Sequence, residues 1–299
     1  MSDPVRIVET LRDAWQGLPR AVPTERKVAF VARLLRAGFP RLDVGSFVSR
    51  SRVPAMADTD EVVAQVASLP ELKARAQAAG AAHPPRFTAL VASESGLERL
   101  LQHGLIDEVL YPFSFSERFQ RRNTERSREE AFALLQTLAE RAHNAGRTVY
   151  ATISMAFGNN EGEAFDPSEL RSWVARLHHE GGADRVGLAD TTAQADADTI
   201  ARVYEAVMER NDWPVPGAHL HVTPENQDAL IAAALAAGCR DFDAALGALG
   251  GCQFAQGAVS NVSTLPLVRQ LRAGGFATDV PESGLAALET EARALAAAG

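Results

Sequence analysis

Short runs rich in β-branched and apolar residues alternate along this chain with longer stretches whose apolar positions recur every three or four residues. The first pattern predicts strands buried on both faces, the second amphipathic helices. Strands are predicted at Arg6 to Val8, Arg41 to Val44, Arg86 to Val91, Glu108 to Tyr111, Thr148 to Ser154, Arg185 to Leu188, Ala218 to His221 and Asp241 to Ala244. Between them, helices are predicted from Thr24, a candidate cap, to Gly38, and at Asp60 to Ser68, Ser95 to His103, Arg128 to Asn144, Pro167 to Glu180, Asp196 to Glu209 and Glu225 to Ala237. Thr264 to Ala273 follows the last strand, and an Ala-rich tail from Glu282 to Ala298 reads as one more helix.

Eight strand-helix units imply a parallel sheet, and eight such units close into a barrel. The expected fold is an α/β (β/α)8 barrel spanning 1–299 as one domain, with the tail helix packed outside. A doubly wound open sheet is the alternative, disfavoured because no Gly-x-Gly-x-x-Gly follows the first strand. No stretch of eighteen apolar residues occurs and the N-terminus shows no basic-then-apolar leader, so a cytoplasmic protein is expected. The net charge of -8, with Lys and Arg scattered, points away from nucleic acid and membrane surfaces and toward a small-molecule substrate. The two cysteines, Cys239 and Cys252, form no C-x-x-C pair and are expected as reduced thiols.

In such a barrel the chemistry sits at the C-terminal ends of the strands. The polar residues expected there are Glu9 through Asp13 after the first strand, Asp43, Ser154, Asp190 with Thr191, and His219 with His221. His219 and His221 are two apart on a strand, so both imidazoles project from one face and can reach one ion. With Asp13 and Asn261 they make a mixed oxygen and nitrogen set suited to Mg²⁺ or Mn²⁺, with Zn²⁺ or Co²⁺ also compatible. A cation there would hold a hydroxyl and a carbonyl oxygen and favour breaking the adjacent carbon-carbon bond, with Arg12 stabilising the enolate that develops. The Gly-rich run from Gly247 to Gly257 carries Cys252 and reads as a lid.

Long spans of these residues resemble one family. Ile7-Val8-Glu9 with Arg12-Asp13 and Gln16, Gly45-Ser46-Phe47-Val48-Ser49, Val53 through Asp58, His219-x-His221, and Gly250-Gly251-Cys252 through Gln256-Gly257 to Asn261 look like hydroxymethylglutaryl-CoA lyase, of the DRE-TIM metallolyase group. The resemblance implies a barrel, usually dimeric, that uses a divalent cation to cleave 3-hydroxy-3-methylglutaryl-CoA to acetyl-CoA and acetoacetate. It implies Asp13, His219, His221 and Asn261 as metal ligands, Arg12 as enolate stabiliser, and Cys252 as the acid/base of the mobile loop. It makes Asp190 a catalytic polar residue near the reacting hydroxyl, gives Asp43, in the place of the family's Glu, a catalytic part, and puts Gln16, Ser46, Asn123 and Arg12 on the acyl-CoA substrate. The run Glu117 to Asn123, read as a loop, offers basic charge for CoA phosphates.

The chain departs from the family pattern at five places. Asp43 stands where the family has the longer Glu, Ala14 replaces the Gly of Arg-Asp-Gly, and Ala189 replaces the Gly before Asp190. Val222 follows the second His in place of a polar residue, and Gly17-Leu18-Pro19-Arg20 replaces a basic segment, leaving only Arg20 as a substitute. These departures bear on the substrate. A related aldolase or condensing enzyme using a 2-oxo acid, or a catalytically silent acyl-CoA-binding barrel, are the alternatives.

Overall fold

The computed structural model describes residues 4–72, 84–209, 212–251 and 259–298. Eight parallel strands, β1 (Arg6–Thr10), β2 (Arg41–Ser46), β3 (Arg86–Leu90), β4 (Glu108–Ser114), β5 (Thr148–Ser154), β6 (Arg185–Asp190), β7 (Gly217–Val222) and β8 (Asp241–Ala244), pair in chain order and close through β8 on β1. The expected (β/α)8 barrel is what forms. A two-residue strand, β9 (Ser260–Asn261), adds antiparallel to β7 and sets His221 opposite Asn261.

The helices are α1 (Leu11–Gln16), α2 (Thr24–Ala37), α3 (Thr59–Ala67), α4 (Glu94–Leu101), α5 (Glu117–Thr124), α6 (Arg128–Asn144), α7 (Pro167–His179), α8 (Ala197–Met208), α9 (Gln227–Ala236), α10 (Thr264–Ala273) and α11 (Leu285–Ala298). Gly38 ends α2 in the left-handed region, as a C-terminal glycine should. Thr24 is not the cap expected of it: it is the first helical residue, and its hydroxyl donates to Asp58 Oδ2 at 2.8 Å. Helix α11 packs outside the barrel against α2, where Arg33 pairs with Glu291.

Two helices lie where the sequence pattern predicts none. The segment after β1 is α1, six residues long and buried from Leu11 to Trp15. The basic run after β4 is α5, capped by the Ser116 hydroxyl, and its arginines are already engaged: Arg121 with Glu117, Arg122 with Glu161.

Side chains alternate along β5, so Val149, Ala151 and Ile153 join the apolar core while Tyr150, Thr152 and Ser154 face the barrel axis. At the base, Arg185 donates to both carboxylate oxygens of Glu108 (3.0 and 2.8 Å) and also pairs with Asp241. Its guanidinium lies 3.9 Å from the centroid of the Tyr150 ring. The Tyr150 hydroxyl occupies space that a side chain at 187 would need: a Cβ there would stand 2.1 Å from it. Glycine at 187 is therefore required, and the aromatic ring closes the barrel from below.

Candidate metal centre and active site

His219 and His221 both point inward from β7 because they share its parity. Each ring is fixed from behind. His219 Nδ1 lies 3.0 Å from Asp243 Oδ2 on β8, and His221 Nδ1 lies 3.0 Å from the carbonyl oxygen of Thr191. An acceptor at Nδ1 keeps the hydrogen there and turns each Nε2 toward the barrel mouth. The two Nε2 atoms stand 3.3 Å apart, and with an oxygen of Asp13 they form a buried group whose ligand atoms all lie within 4.8 Å of one another.

Two nitrogen lone pairs at that spacing require positive charge between them. Burial works against a charge on His219, yet the hydrogen bond and charge of Asp243, together with Asp13, hold its pKa above the usual imidazole value. Burial, and after it the neighbouring His219, push His221 down to about 4. Asp13 stays ionised despite its burial, held well below the usual carboxylate range by Arg12 and the two histidines. One carboxylate and two imidazole nitrogens, with hydrogens directed away, are a donor set that fits a divalent cation.

Asp13 is presented by α1 and gripped on both oxygens. Arg12 Nη1 (3.0 Å) and Gln16 Nε2 (3.1 Å) donate to Oδ1, and Asn261 Nδ2 (2.7 Å) donates to Oδ2. Asn261 Nδ2 also donates to the Leu249 carbonyl at 2.8 Å, so its nitrogen is committed, and among the described residues no hydrogen bond to its oxygen is found. Gly250 lets the chain pass this close: its φ is +79°, and a Cβ there would stand 2.5 Å from Asn261 Nδ2.

Arg12 is buried and charged. Burial opposes the charge, but Asp43 and Asp13 outweigh it and raise its pKa. Its Nε donates to Asp43 Oδ2 at 2.8 Å, and among the described residues its Nη2 has no hydrogen-bond partner. Asp43 is 2% exposed, and burial pushes it up to about 6 against the pull of Arg12, with Asp243 and Asp13 adding to the rise. Its Oδ1 is buried and unpartnered among the described residues.

Not every predicted residue reaches this centre. Asp190 lies at the end of β6 with both oxygens occupied by backbone, Gln194 N on Oδ1 and Ala195 N on Oδ2, each at 3.0 Å. Glu9 faces away from the mouth: it accepts the Leu246 N–H (2.7 Å) and the Thr264 hydroxyl (2.6 Å), and burial pushes its pKa up to about 8. Ser46 is buried at the end of β2, where its N–H donates to the Thr59 hydroxyl, and Asn123 is exposed on α5. Cys252 lies outside the described residues. Asp243 was not singled out in the sequence, although its place two residues after Asp241 on an inward-facing strand was the available signal.

A closed (β/α)8 barrel with a carboxylate-histidine cluster, a buried arginine and an unpartnered carboxylate at the strand tips belongs to the enzymes that act at this end of the fold. The HMGL-like family pattern matches residues 5–291. The chain is 33% identical to the (R)-citramalyl-CoA lyase of Chloroflexus aurantiacus, covering 92% of this chain and 86% of that one. It is 29% identical to the hydroxymethylglutaryl-CoA lyase of Pseudomonas mevalonii, covering 90% and 84%. An HMG-CoA lyase from Acinetobacter baumannii, solved with coenzyme A and 3-methylmalate, superposes with a TM-score of 0.86 at 26% identity, covering 99% and 93%. The chain belongs to the HMGL-like family, a family of lyases, and is an enzyme of that class.

Proposed function

We propose that the protein is a divalent-metal-dependent carbon-carbon lyase that cleaves 3-hydroxy-3-methylglutaryl-CoA, or a close 3-hydroxyacyl-CoA, to acetyl-CoA and an oxo acid. The observation that carries this is the convergence of Asp13, His219 and His221 beside Arg12, inside a barrel of this family. The names of the relatives support a CoA thioester as substrate. The citramalyl-CoA lyase supports the shorter four-carbon chain as a second candidate, with pyruvate as the oxo acid in place of acetoacetate.

A divalent cation held by Asp13, His219, His221 and Asn261 Oδ1 would supply Lewis-acid polarisation of the substrate oxygens. Asp43 Oδ1, buried, unpartnered and raised to about 6, accepts the proton of the 3-hydroxyl. As the C3 carbonyl forms, the C2–C3 bond breaks and its electrons pass to the thioester enolate. Arg12 Nη2 stabilises the enolate oxygen. Cys252 returns a proton to C2, giving acetyl-CoA. Asp190 holds the turn that carries Thr191, and through it His221. Gln16, Ser46 and Asn123 border the path of the acyl-CoA.

The test is incubation of pure protein with Mg²⁺ or Mn²⁺ and each thioester, assaying acetoacetate and pyruvate. Formation of one product sets the acyl chain. Absence of both, with any divalent metal, overturns the reading.

A further inference from the structure

Ser263 is the residue that enters α10, a position where a serine hydroxyl ordinarily accepts an N–H of its own helix. It makes no such bond. Its hydroxyl donates instead to Glu289 Oε1 on α11 at 2.8 Å, and its N–H donates to Gln227 Oε1 on α9, also at 2.8 Å. A cap contributes about 1 kcal/mol to its helix, so a hydroxyl turned away from that role answers to a tertiary demand. The contact is shielded from water: Ser263 is 5% exposed and the Glu289 side chain 13%. By contrast, the pair that Glu289 makes with Arg293 at 3.3 Å is open on the arginine side and holds little by itself.

Two residues before Ser263 stands Asn261, whose amide grips Asp13 and the Leu249 carbonyl. The chain between them is tied on both sides. The Val262 carbonyl accepts the Ala245 N–H at 2.9 Å, and Asn261 lies opposite His221 where β9 meets β7. A shift of Ser263 is therefore passed to Asn261 with little slack to absorb it. The same turn of α11 also reaches the segment that leads to Leu249: the Arg293 stem rests on Gly247, where a Cβ would stand 2.9 Å from the Arg293 Cγ. Helix α11 thus bears on Gly247, ahead of the Leu249 carbonyl, and on Ser263, beyond Asn261. We infer that Glu289 is a positioning residue: through Ser263 it sets the Asn261 side chain at the Asp13, His219 and His221 cluster. It touches neither ion nor substrate. This deepens the proposed function and rests on it, because Asn261 Oδ1 is there a ligand of the cation.

The experiment has two readouts on the full-length protein. The first is the side-chain amide signal of Asn261 in metal-free protein carrying isotope-labelled asparagine, assigned by its loss in Asn261→Asp. Glu289→Ala and Ser263→Ala are each expected to move that signal and speed its exchange with solvent. Glu289→Gln, which keeps an acceptor oxygen, and Ser263→Thr, which keeps the hydroxyl, retain it. The second readout is Mn²⁺ affinity by titration. It should fall about tenfold in each alanine variant and no further in the double variant, with the two conservative variants close to the parent. Ser263→Ala reads the contact even where Glu289→Ala fails to fold, since α10 draws no cap bond from that hydroxyl. An unchanged Asn261 signal in the alanine variants overturns the inference, as does an unchanged Mn²⁺ affinity where the parent binds the ion, or losses that add in the double variant. A parent protein that takes up no Mn²⁺ overturns the metal reading, and the Asn261 signal then decides the role of Glu289 by itself.

Discussion

The hydroxyl of Thr191 accepts the backbone N–H of Met155 at 3.0 Å, while the carbonyl of the same threonine accepts from His221. Met155 is fully buried at φ 60°, a region that a long side chain enters only under constraint. Thr191 therefore ties a strained turn after β5 to the imidazole on β7. Thr191→Val strands a buried N–H and should cost about 1–3 kcal/mol in urea unfolding, whereas Thr191→Ser should cost less than 1 kcal/mol. Equal losses in the two variants would show that the methyl group, not the hydroxyl, does the holding.

The Asp243 carboxylate orients His219. Asp243→Asn keeps the shape and an acceptor oxygen but loses the charge. Mn²⁺ affinity, read by titration, should fall roughly 10- to 100-fold with the circular dichroism spectrum unchanged. Wild-type affinity in this variant would mean that the ring is fixed by packing alone.

Arg12 bridges Asp43 and Asp13 with a planar fork. Lysine carries the charge but cannot hold both carboxylates at once. On the proposed role of Arg12, Arg12→Lys is expected to lower kcat on the cleaved thioester by about 10²–10³ with a small change in KM, because the interaction removed would be one made to the developing enolate. A rise in KM at constant kcat would place Arg12 in ground-state binding instead.

Glu9 gives a prediction in pH. Its folded pKa, about 8, lies above its ordinary value of 4.5, so the folded state holds the proton more tightly than the unfolded one. The stabilisation is complete below about pH 4.5 and is lost as pH rises to about 8, at a limiting slope of roughly 1.4 kcal/mol per unit. Glu9→Gln still accepts the Leu246 N–H on its oxygen, can meet the Thr264 hydroxyl only by donating its amide N–H to it, and has no proton to lose. Calorimetric scans should show the wild type losing stability relative to Glu9→Gln between about pH 5 and 8, with parallel curves above that window. A constant difference from pH 5 to 9 would show that Glu9 is ionised in the fold.

The barrel was legible because parallel strands buried on both faces leave continuous apolar runs, and each run here is followed by a helix-length stretch. Helix α1 escaped because six residues are under two turns, too few for a periodicity to register. Helix α5 escaped because its charged residues outnumber its apolar ones. His219, His221 and Asp13 could be read from spacing and position. Asp243 could not be tied to His219, since a carboxylate in a four-residue strand has no local signature of its partner. Glu9 was placed in the mouth by its position at a strand tip. Its partners, 237 and 255 residues away, lie on the outer side of β1.

The Asp13–Asn261 hydrogen bond joins residues 248 positions apart, across the edge where β8 meets β1. That edge is the last to pair if the barrel grows in chain order, because its two strands come from opposite ends of the sequence. Asp13 stands on one side of the seam, and His219, His221 and Asn261 on the other. A cation held among them, as the proposed function has it, would work as a clasp on the ring: its binding energy would be available only to the closed cylinder and would add to the cost of opening it. On that proposal, catalytic competence and circular closure would be one event, and a partly assembled barrel would hold neither the ion nor the reaction.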